Sequence, residues 1–508
     1  MAKLNKTVLK NIVSDNIKIP GDDWGKLPEK VLQFGTGVLL RGLPDYFIDK
    51  ANRQGVFNGR VVVVKSTNRG GTDEFAEQDG LYTIHNKGIQ NGKEVQDTII
   101  SSAISRVLNA SENWEEILSV GVSPELQVVI SNTTEVGIVL KENDSLTALP
   151  PDSFPAKLTS LLHKRFLQFN GDPTKGLVIL PTELISDNGA KLKEIVLQLA
   201  QINKLGDDFT NWLSTSNYFC NTLVDRIVPG KLPLEEQKQA DKELGYADDL
   251  AIMTEPFRLW AIESDNARVS EILSFAKVDD GVVIAPDIWK FKELKLRLLN
   301  GTHTFSCALA ILCGFETVKE AMQNDDFLRY LRLLMDEIVS TIVGEEISEK
   351  EARDFASSVV DRFSNPFLNH QWLSISFNYT SKMEMRNAAL LEGFFHKHQS
   401  VPQYMALGFA AYLRFMKCEK DENGDYVGRI GGKSYVLNDA DAPVFADLWA
   451  TFESEELVER VLKNEVLWKR NLYNIPQLAD RVITYLNLWE ADDALNVVRQ
   501  MNSNKPTN

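Results

Sequence analysis

The stretch that decides the fold is KVLQFGTGVLLRG, Lys30 to Gly42. An apolar run stops at two glycines and resumes with helical spacing, a strand, a turn and the first turns of a helix. Gly35 and Gly37 supply a backbone on which a pyrophosphate can rest against the amides opening that helix. Leu40 stands where the dinucleotide-binding fingerprint has its third glycine, so the fingerprint is incomplete and a plain tight turn is the competing reading. The cofactor-binding candidates here are Phe34, Gly35, Thr36, Gly37 and Val38.

Outward from this turn the same alternation repeats. GRVVVVKS (Gly59–Ser66), ELQVVISNTTE (Glu125–Glu135) and KGLVILPTEL (Lys175–Leu184) are further apolar runs separated by helical segments. Runs apolar on both faces of a strand imply a parallel sheet covered by helices on both sides. An excursion over residues 72–100, containing DGLYTIHNKG, has hairpin character. Beyond about residue 285 helical periodicity takes over, as in DDFLRYLRLLMDEIVSTI, interrupted by a hairpin or loop at GDYVGRIGGKSYVLNDADAP. The expected architecture is an α/β Rossmann-like domain over residues 1–284 and a mainly α-helical domain over residues 285–508.

The ends of the strands carry the next candidates. In open α/β sheets ligands bind at the carboxyl edge, and the second strand usually ends in an acid that grips the ribose hydroxyls. Here it is followed by Lys65, Asn68 and Arg69 with no acid, which spacing alone reads as room for a phosphorylated ribose, as no strong preference, or as solvated charges. Thr134 and Glu135, in SNTTEVGI, fall at the same edge. Glu135 is either a functional carboxylate or a helix N-terminal acid.

In the helical half, KELKLRLLNGTHT (Lys292–Thr304) combines two patterns. At about 100° per residue, Phe291, Leu294, Leu298, Phe305, Leu309 and Leu312 form one apolar stripe. Lys295, Asn300 and His303 share an adjoining arc of about 140° with Leu296 and Leu299, so that arc is expected to be partly buried. A partly buried lysine has its pKa pulled towards neutrality, as a general acid/base requires. An asparagine and a histidine one turn apart can hold a single oxygen on which charge develops. Gly301, costly in a helix interior, reads as clearance for a ligand. The alternative is a snorkelling lysine with structurally satisfied Asn and His.

Composition narrows the classes. A formal charge of −16 on 508 residues opposes nucleic acid or anionic membrane as partner, so an anionic ligand must be caught by local cations. Four cysteines without paired spacing fit a reducing compartment. With no signal-peptide core and no long apolar run, the expectation is a cytoplasmic protein. His396 and His398 lack a third metal ligand nearby, and no metal site is expected.

Lys295, Asn300 and His303 reproduce a K-x4-N-x2-H signature. With QFGTGVLLRG, QDGLYT, TLVDRIVP and RFSNP, the chain resembles the mannitol dehydrogenase family of polyol-specific long-chain dehydrogenases over almost its whole length. VVVVKS, SNTTEVGI, LPTELISDNG and LLNGTHT are most similar to the branch that handles hexuronic and aldonic acids. That resemblance implies metal-independent hydride transfer between NAD(H) and a small-molecule sugar acid, interconverting D-tagaturonate and D-altronate in hexuronate catabolism. It assigns Lys295 the proton transfer and Asn300 and His303 the substrate oxygen. Where mannitol dehydrogenases have an Asp–Asn pair, this chain has Glu183 and Leu184, and one oxygen contact is missing. Arg226, Arg362 and His370 are the candidates to receive the substrate carboxylate, with structural pairing to Asp225 or Asp361 as the alternative for the two arginines. Competing readings are mannonate/fructuronate or neutral-polyol chemistry on the same fold, and a silent dinucleotide-binding regulator. Oligomeric state is left open.

Overall fold

A computed structural model of the chain describes residues 1–12, 14, 16–66, 71–133, 137–491 and 493–503. They form two compact units, Met1–Gly88 with Glu94–Ile288 and Ile89–Lys93 with Trp289–Asn508, a discontinuity that one cut at 284/285 does not express.

The first unit is built on six strands, β1 (Glu29–Phe34), β2 (Arg60–Lys65), β3 (Ile104–Asn109), β4 (Val128–Ser131), β5 (Val178–Pro181) and β6 (Tyr218–Phe219). They lie in the order β3-β2-β1-β4-β5-β6 and every pairing is parallel. The strand order reverses between β1 and β4, the switch point at which such sheets bind dinucleotides. The apolar runs explain the two-sided burial. Val31, Val61, Val63, Val128, Ile130, Val178 and Leu180 point to one core, and Leu32, Phe34, Val62, Val64, Val129 and Ile179 to the other.

One face packs on α1 (Val38–Gly42) and α2 (Pro44–Arg53), which buries Phe47 and Ile48. The other is covered by α3 (Trp114–Gly121), α4 (Phe154–Gln168) and α5 (Asn188–Ile202). The hairpin expected over residues 72–100 is present as Tyr82–Gln90 and Lys93–Ser101 in a four-stranded sheet. Its turn residues Asn91 and Gly92 both have positive φ (53° and 70°), the conformation that Asn-Gly adopts cheaply in a two-residue hairpin.

The second unit is mainly helical, with one antiparallel three-stranded sheet, Cys418–Lys420, Tyr426–Ile430 and Lys433–Val436, where the interruption was expected. Its centre is a continuous rod of α6 (Trp289–Leu294), a π-helical turn (Lys295–Gly301) and α7 (Thr302–Leu312). Around the rod lie α8 (Glu349–Phe363), α9 (Ala389–His398) and α10 (Gln403–Phe415). Leu294, Leu298, Phe305 and Leu309 of the apolar stripe are buried, while Phe291 and Leu312 are only partly so. Gly408 of α10 lets α7 approach closely, since a Cβ there would stand 2.7 Å from the Phe305 carbonyl oxygen.

Candidate active site

In the first unit the glycine turn is shaped by close packing. Gly35 has φ +132°, and a Cβ there would stand 2.9 Å from both the Asn132 carbonyl oxygen and Leu40 Cδ1. Its amide donates to the Val64 carbonyl at 3.0 Å. Leu40, in place of the third glycine, is therefore the side chain that packs over the turn. Gly37 opens α1 with nothing within 4 Å of where its side chain would project. The close helix packing that the third glycine normally serves falls to Gly42, whose Cβ would stand 2.8 Å from Val228 Cγ2. That role is missed by the fingerprint spacing, because the glycine lies two residues further on.

At the carboxyl edge, buried Glu183 ties two strand ends together. It accepts from Ser131 Oγ (3.1 Å), the Thr133 amide (2.9 Å) and Thr133 Oγ1 (3.0 Å). Asn132 Nδ2 donates to the Thr182 carbonyl at 3.0 Å, closing the same brace. Leu184 is exposed. Thr134 and Glu135 lie outside the described residues, as do Asn68 and Arg69. Lys65 is buried within β2, so it is not one of the solvated charges that the strand end was read as carrying.

In the second unit the lysine–asparagine–histidine segment is not the regular α-helix expected of it. Lys295–Gly301 is π-helical, with i→i+5 bonding, and such turns are rare and frequently found at functional sites. A five-residue step on an α-helix ends about 140° round the axis, whereas the π-turn draws Lys295 and Asn300 towards one face. His303 follows within the first turn of α7. Lys295 and Asn300 are both partly exposed.

A second π-turn, Glu384–Ala388, runs alongside. Arg297 joins the two, donating from Nη1 to the carbonyls of Met385 (3.1 Å) and Arg386 (2.7 Å) while Nε holds Glu293 (3.0 Å). Asn387 Nδ2 donates to the Gly301 carbonyl at 3.2 Å. A Cβ on Gly301 would meet Asn387 Oδ1 at 2.9 Å. The space at Gly301 is thus filled by the second π-turn, which corrects its reading as clearance for a ligand.

His303 is clamped by rings. Its imidazole stacks on Phe363 (centroids 4.0 Å apart, planes 3° apart), with His370 edge-on at 5.4 Å and Trp372 at 6.0 Å. Burial, followed by the charges of His370, Arg362, Arg386 and Lys382, holds its pKa well below the ordinary histidine value. The ring is therefore neutral at pH 7 and carries one N–H. Just beyond it, the Tyr379 hydroxyl donates to the Thr304 carbonyl (2.7 Å) and accepts from the Ala308 amide (3.0 Å), inserting into the helical ladder of α7.

A π-turn carrying a lysine and an asparagine with a histidine just beyond it, and a dinucleotide-type sheet, can be compared with known proteins. The profile described as mannitol dehydrogenase Rossmann domain matches residues 29–273, and that described as mannitol dehydrogenase C-terminal domain matches residues 287–489. The chain belongs to the mannitol dehydrogenase family.

An altronate oxidoreductase of Bacillus subtilis is 37% identical over 490 residues, 96% of this chain and 95% of that protein. One of Phocaeicola vulgatus is 36% identical over 475 residues, covering 93% and 96%. Among solved structures, Pseudomonas fluorescens mannitol 2-dehydrogenase in a ternary complex with NAD and D-mannitol aligns at TM-score 0.68 and 22% identity, covering 99% of this chain and all of that one. A substrate-free D-sorbitol dehydrogenase aligns at TM-score 0.77 and 20% identity, covering 98% and 100%. At those identities the likeness is one of fold.

Within this mannitol dehydrogenase family chain, the structure sorts the carboxylate candidates. Arg226 is buried in the first unit. Its Nε donates to the Glu255 carbonyl (2.9 Å), Nη1 to the Gly42 carbonyl (2.5 Å) and Nη2 to Asn86 Oδ1 (3.1 Å), while its Cζ lies 4.5 Å from the centroid of the Tyr46 ring. Buried, with each of its three nitrogens bonded within the fold, Arg226 acts as a brace, correcting its placement among substrate ligands. Arg362 is buried on α8 and His370 is exposed, and both are among the charged groups His303 feels. Lys382 and Arg386, in the same group, were not singled out from the sequence, which carries no motif around them. His396 and His398 sit exposed at the end of α9. No helix of the described residues is long and apolar enough to cross a membrane.

Proposed function

We propose that this chain is an NAD-dependent oxidoreductase that interconverts D-tagaturonate and D-altronate, in the cytoplasm, as a step of hexuronate breakdown. What carries the substrate assignment is the match, at 35–37% identity over nine-tenths or more of the chain, to relatives named altronate oxidoreductase. The cradle at Gly35 and Gly37, beside the switch point of an all-parallel sheet, fits a dinucleotide. NAD bound there supplies the hydride acceptor for oxidation and, when reduced, the hydride donor.

The chain's own residues handle the proton and the charge. In reduction Lys295 Nζ gives its proton to the ketone oxygen as that oxygen gains negative charge. In oxidation it takes the hydroxyl proton back. Asn300, through its side-chain amide, and the neutral His303, through its ring N–H, hold that oxygen, and two such donors stabilise a developing alkoxide without reorganising. The stacked Phe363 ring fixes the imidazole plane, so little entropy is lost on binding.

Initial rates with tagaturonate, fructuronate and fructose, each with NADH and NADPH, test this. Tagaturonate with NADH is expected to be fastest. Faster turnover of fructuronate or fructose would reassign the substrate, and faster turnover with NADPH would reassign the cofactor.

A further inference from the structure

The second unit contains a cation that its own fold does not neutralise. Arg386 lies in the second π-turn, partly buried, and among the described residues its one side-chain hydrogen bond runs from Nη1 to Thr304 Oγ1 at 3.1 Å. No carboxylate pairs with it among the described residues, and burial, not a neighbouring charge, pulls its guanidinium down from its ordinary value. A guanidinium offers five N–H donors in a planar fork. Among the described residues only Thr304 accepts from this fork, which leaves most of it able to pair with an anion.

Its surroundings add positive charge. Lys382, also partly buried, is held by the Ile375 carbonyl at 2.9 Å. Its pKa is lowered first by burial and then by Arg386 itself. Asp439, whose charge acts on Lys382, already accepts from the Thr380 amide at 2.7 Å. His370 is exposed beside them and feels Lys382 in turn. Two cations held together with one engaged acid form a local anion trap on a chain whose net charge is −16.

The trap is tied to the catalytic segment. Thr304 Oγ1, which accepts from Arg386, itself donates to the Asn300 carbonyl at 2.8 Å. Arg386 is therefore one hydrogen-bonded link from the backbone of the asparagine assigned to the reacting oxygen, and is among the charges that keep His303 neutral. The carboxylate of a six-carbon sugar acid lies only a few carbon–carbon bonds from its ketone, so an anion subsite must sit this near the reacting centre.

We propose that Arg386, with Lys382 beside it, receives the carboxylate of the sugar-acid substrate and sets the preference for the acid over its neutral counterpart. This rests on the tagaturonate/altronate reading and names the group that recognises the charge. The planar fork of Arg386 suits bidentate pairing with a carboxylate, whereas Lys382 contributes a point charge.

The test compares tagaturonate with D-tagatose, which carries –CH2OH in place of the carboxylate, using wild type, Arg386→Gln and Arg386→Lys. Arg386→Gln is expected to raise KM for tagaturonate about 10- to 100-fold, the worth of a charge-assisted hydrogen bond. The fall in kcat/KM should be at least about tenfold smaller for tagatose than for tagaturonate, with NADH binding unchanged. Arg386→Lys should fall between. With wild type, KM for tagaturonate should rise with salt while tagatose is indifferent.

An unchanged KM for tagaturonate in Arg386→Gln, or an equal loss on both substrates, overturns the proposal. If Arg386→Gln does not fold, an unchanged KM in Arg386→Lys together with salt-independent wild-type kinetics overturns it. Wild type that fails to reduce tagaturonate at all refutes the functional reading instead, and the two failures are distinct.

Discussion

Lys295 and Asn300 are five residues apart on a π-helical turn, the spacing at which that turn closes its hydrogen bonds. On an α-helix the same pair would diverge by about 140°. The lysine proposed to transfer the proton and the asparagine proposed to hold the oxygen are thereby drawn to one side of the rod. Lys295→Ala should lower kcat by about 10²- to 10⁴-fold, the usual worth of a general acid/base. NADH affinity, measured by fluorescence titration, should stay as in wild type. A loss of only a few fold would remove the lysine from its assigned role.

The two π-turns hold each other in register through Gly301 and Asn387. A methyl group at Gly301 would press on Asn387 Oδ1 at 2.9 Å and strain the bond from Asn387 Nδ2 to the Gly301 carbonyl. Gly301→Ala is expected to cost about 1–3 kcal/mol of stability, as overpacking does. Combining it with Asn387→Ala should recover part of that cost. Urea unfolding of the four members of this cycle measures the coupling, and strictly additive losses would show that the two residues do not meet.

In the first unit, Gly35→Ala meets both a positive φ and contacts at 2.9 Å with Asn132 and Leu40. Cofactor affinity should fall by at least about tenfold, with kcat at saturating NADH less affected, because the turn presents the dinucleotide and not the proton donor. Calorimetric titration with NADH gives the first quantity and steady-state kinetics the second.

Arg226 gives the opposite signature. Its donors go to the Glu255 and Gly42 carbonyls and Asn86, so Arg226→Met leaves buried acceptors unpaired, at about 1–3 kcal/mol each. Thermal unfolding should shift down while KM for the sugar acid, measured on the folded fraction, stays put.

Asp45, fully buried on α2, accepts from Gln33 Nε2 at 3.3 Å, and burial pushes its pKa up to about 7. The folded value lies above the unfolded one, so the unfolded chain loses this proton first as pH rises. Stability from this group is therefore full below about pH 4 and is lost progressively towards pH 7. Asp45→Asn should remove that slope and add on the order of a few kcal/mol at pH 8. Equal pH dependence of urea midpoints in the two proteins would contradict the assignment.

Local pattern alone determined much of this protein. The valine-rich runs at Val61–Val64 and Val128–Ile130 are buried on both faces, and side chains that alternate across a strand make that readable without coordinates. Gly35 could be read as a turn glycine because its conformation depends on its immediate neighbours, and the Lys295/Asn300/His303 set was visible as a spacing. Only the tertiary structure decided the π-register of that set, since an α-helix and a π-turn share the same apolar pattern. It likewise decided that Asn387, not a ligand, fills the space at Gly301, that Arg226 is bonded to two backbone carbonyls and Asn86, and that Lys382 and Arg386 stand near His303. Each of those outcomes depends on which groups, distant in sequence, are left to satisfy a buried donor or charge, and that balance exists only once the chain has packed.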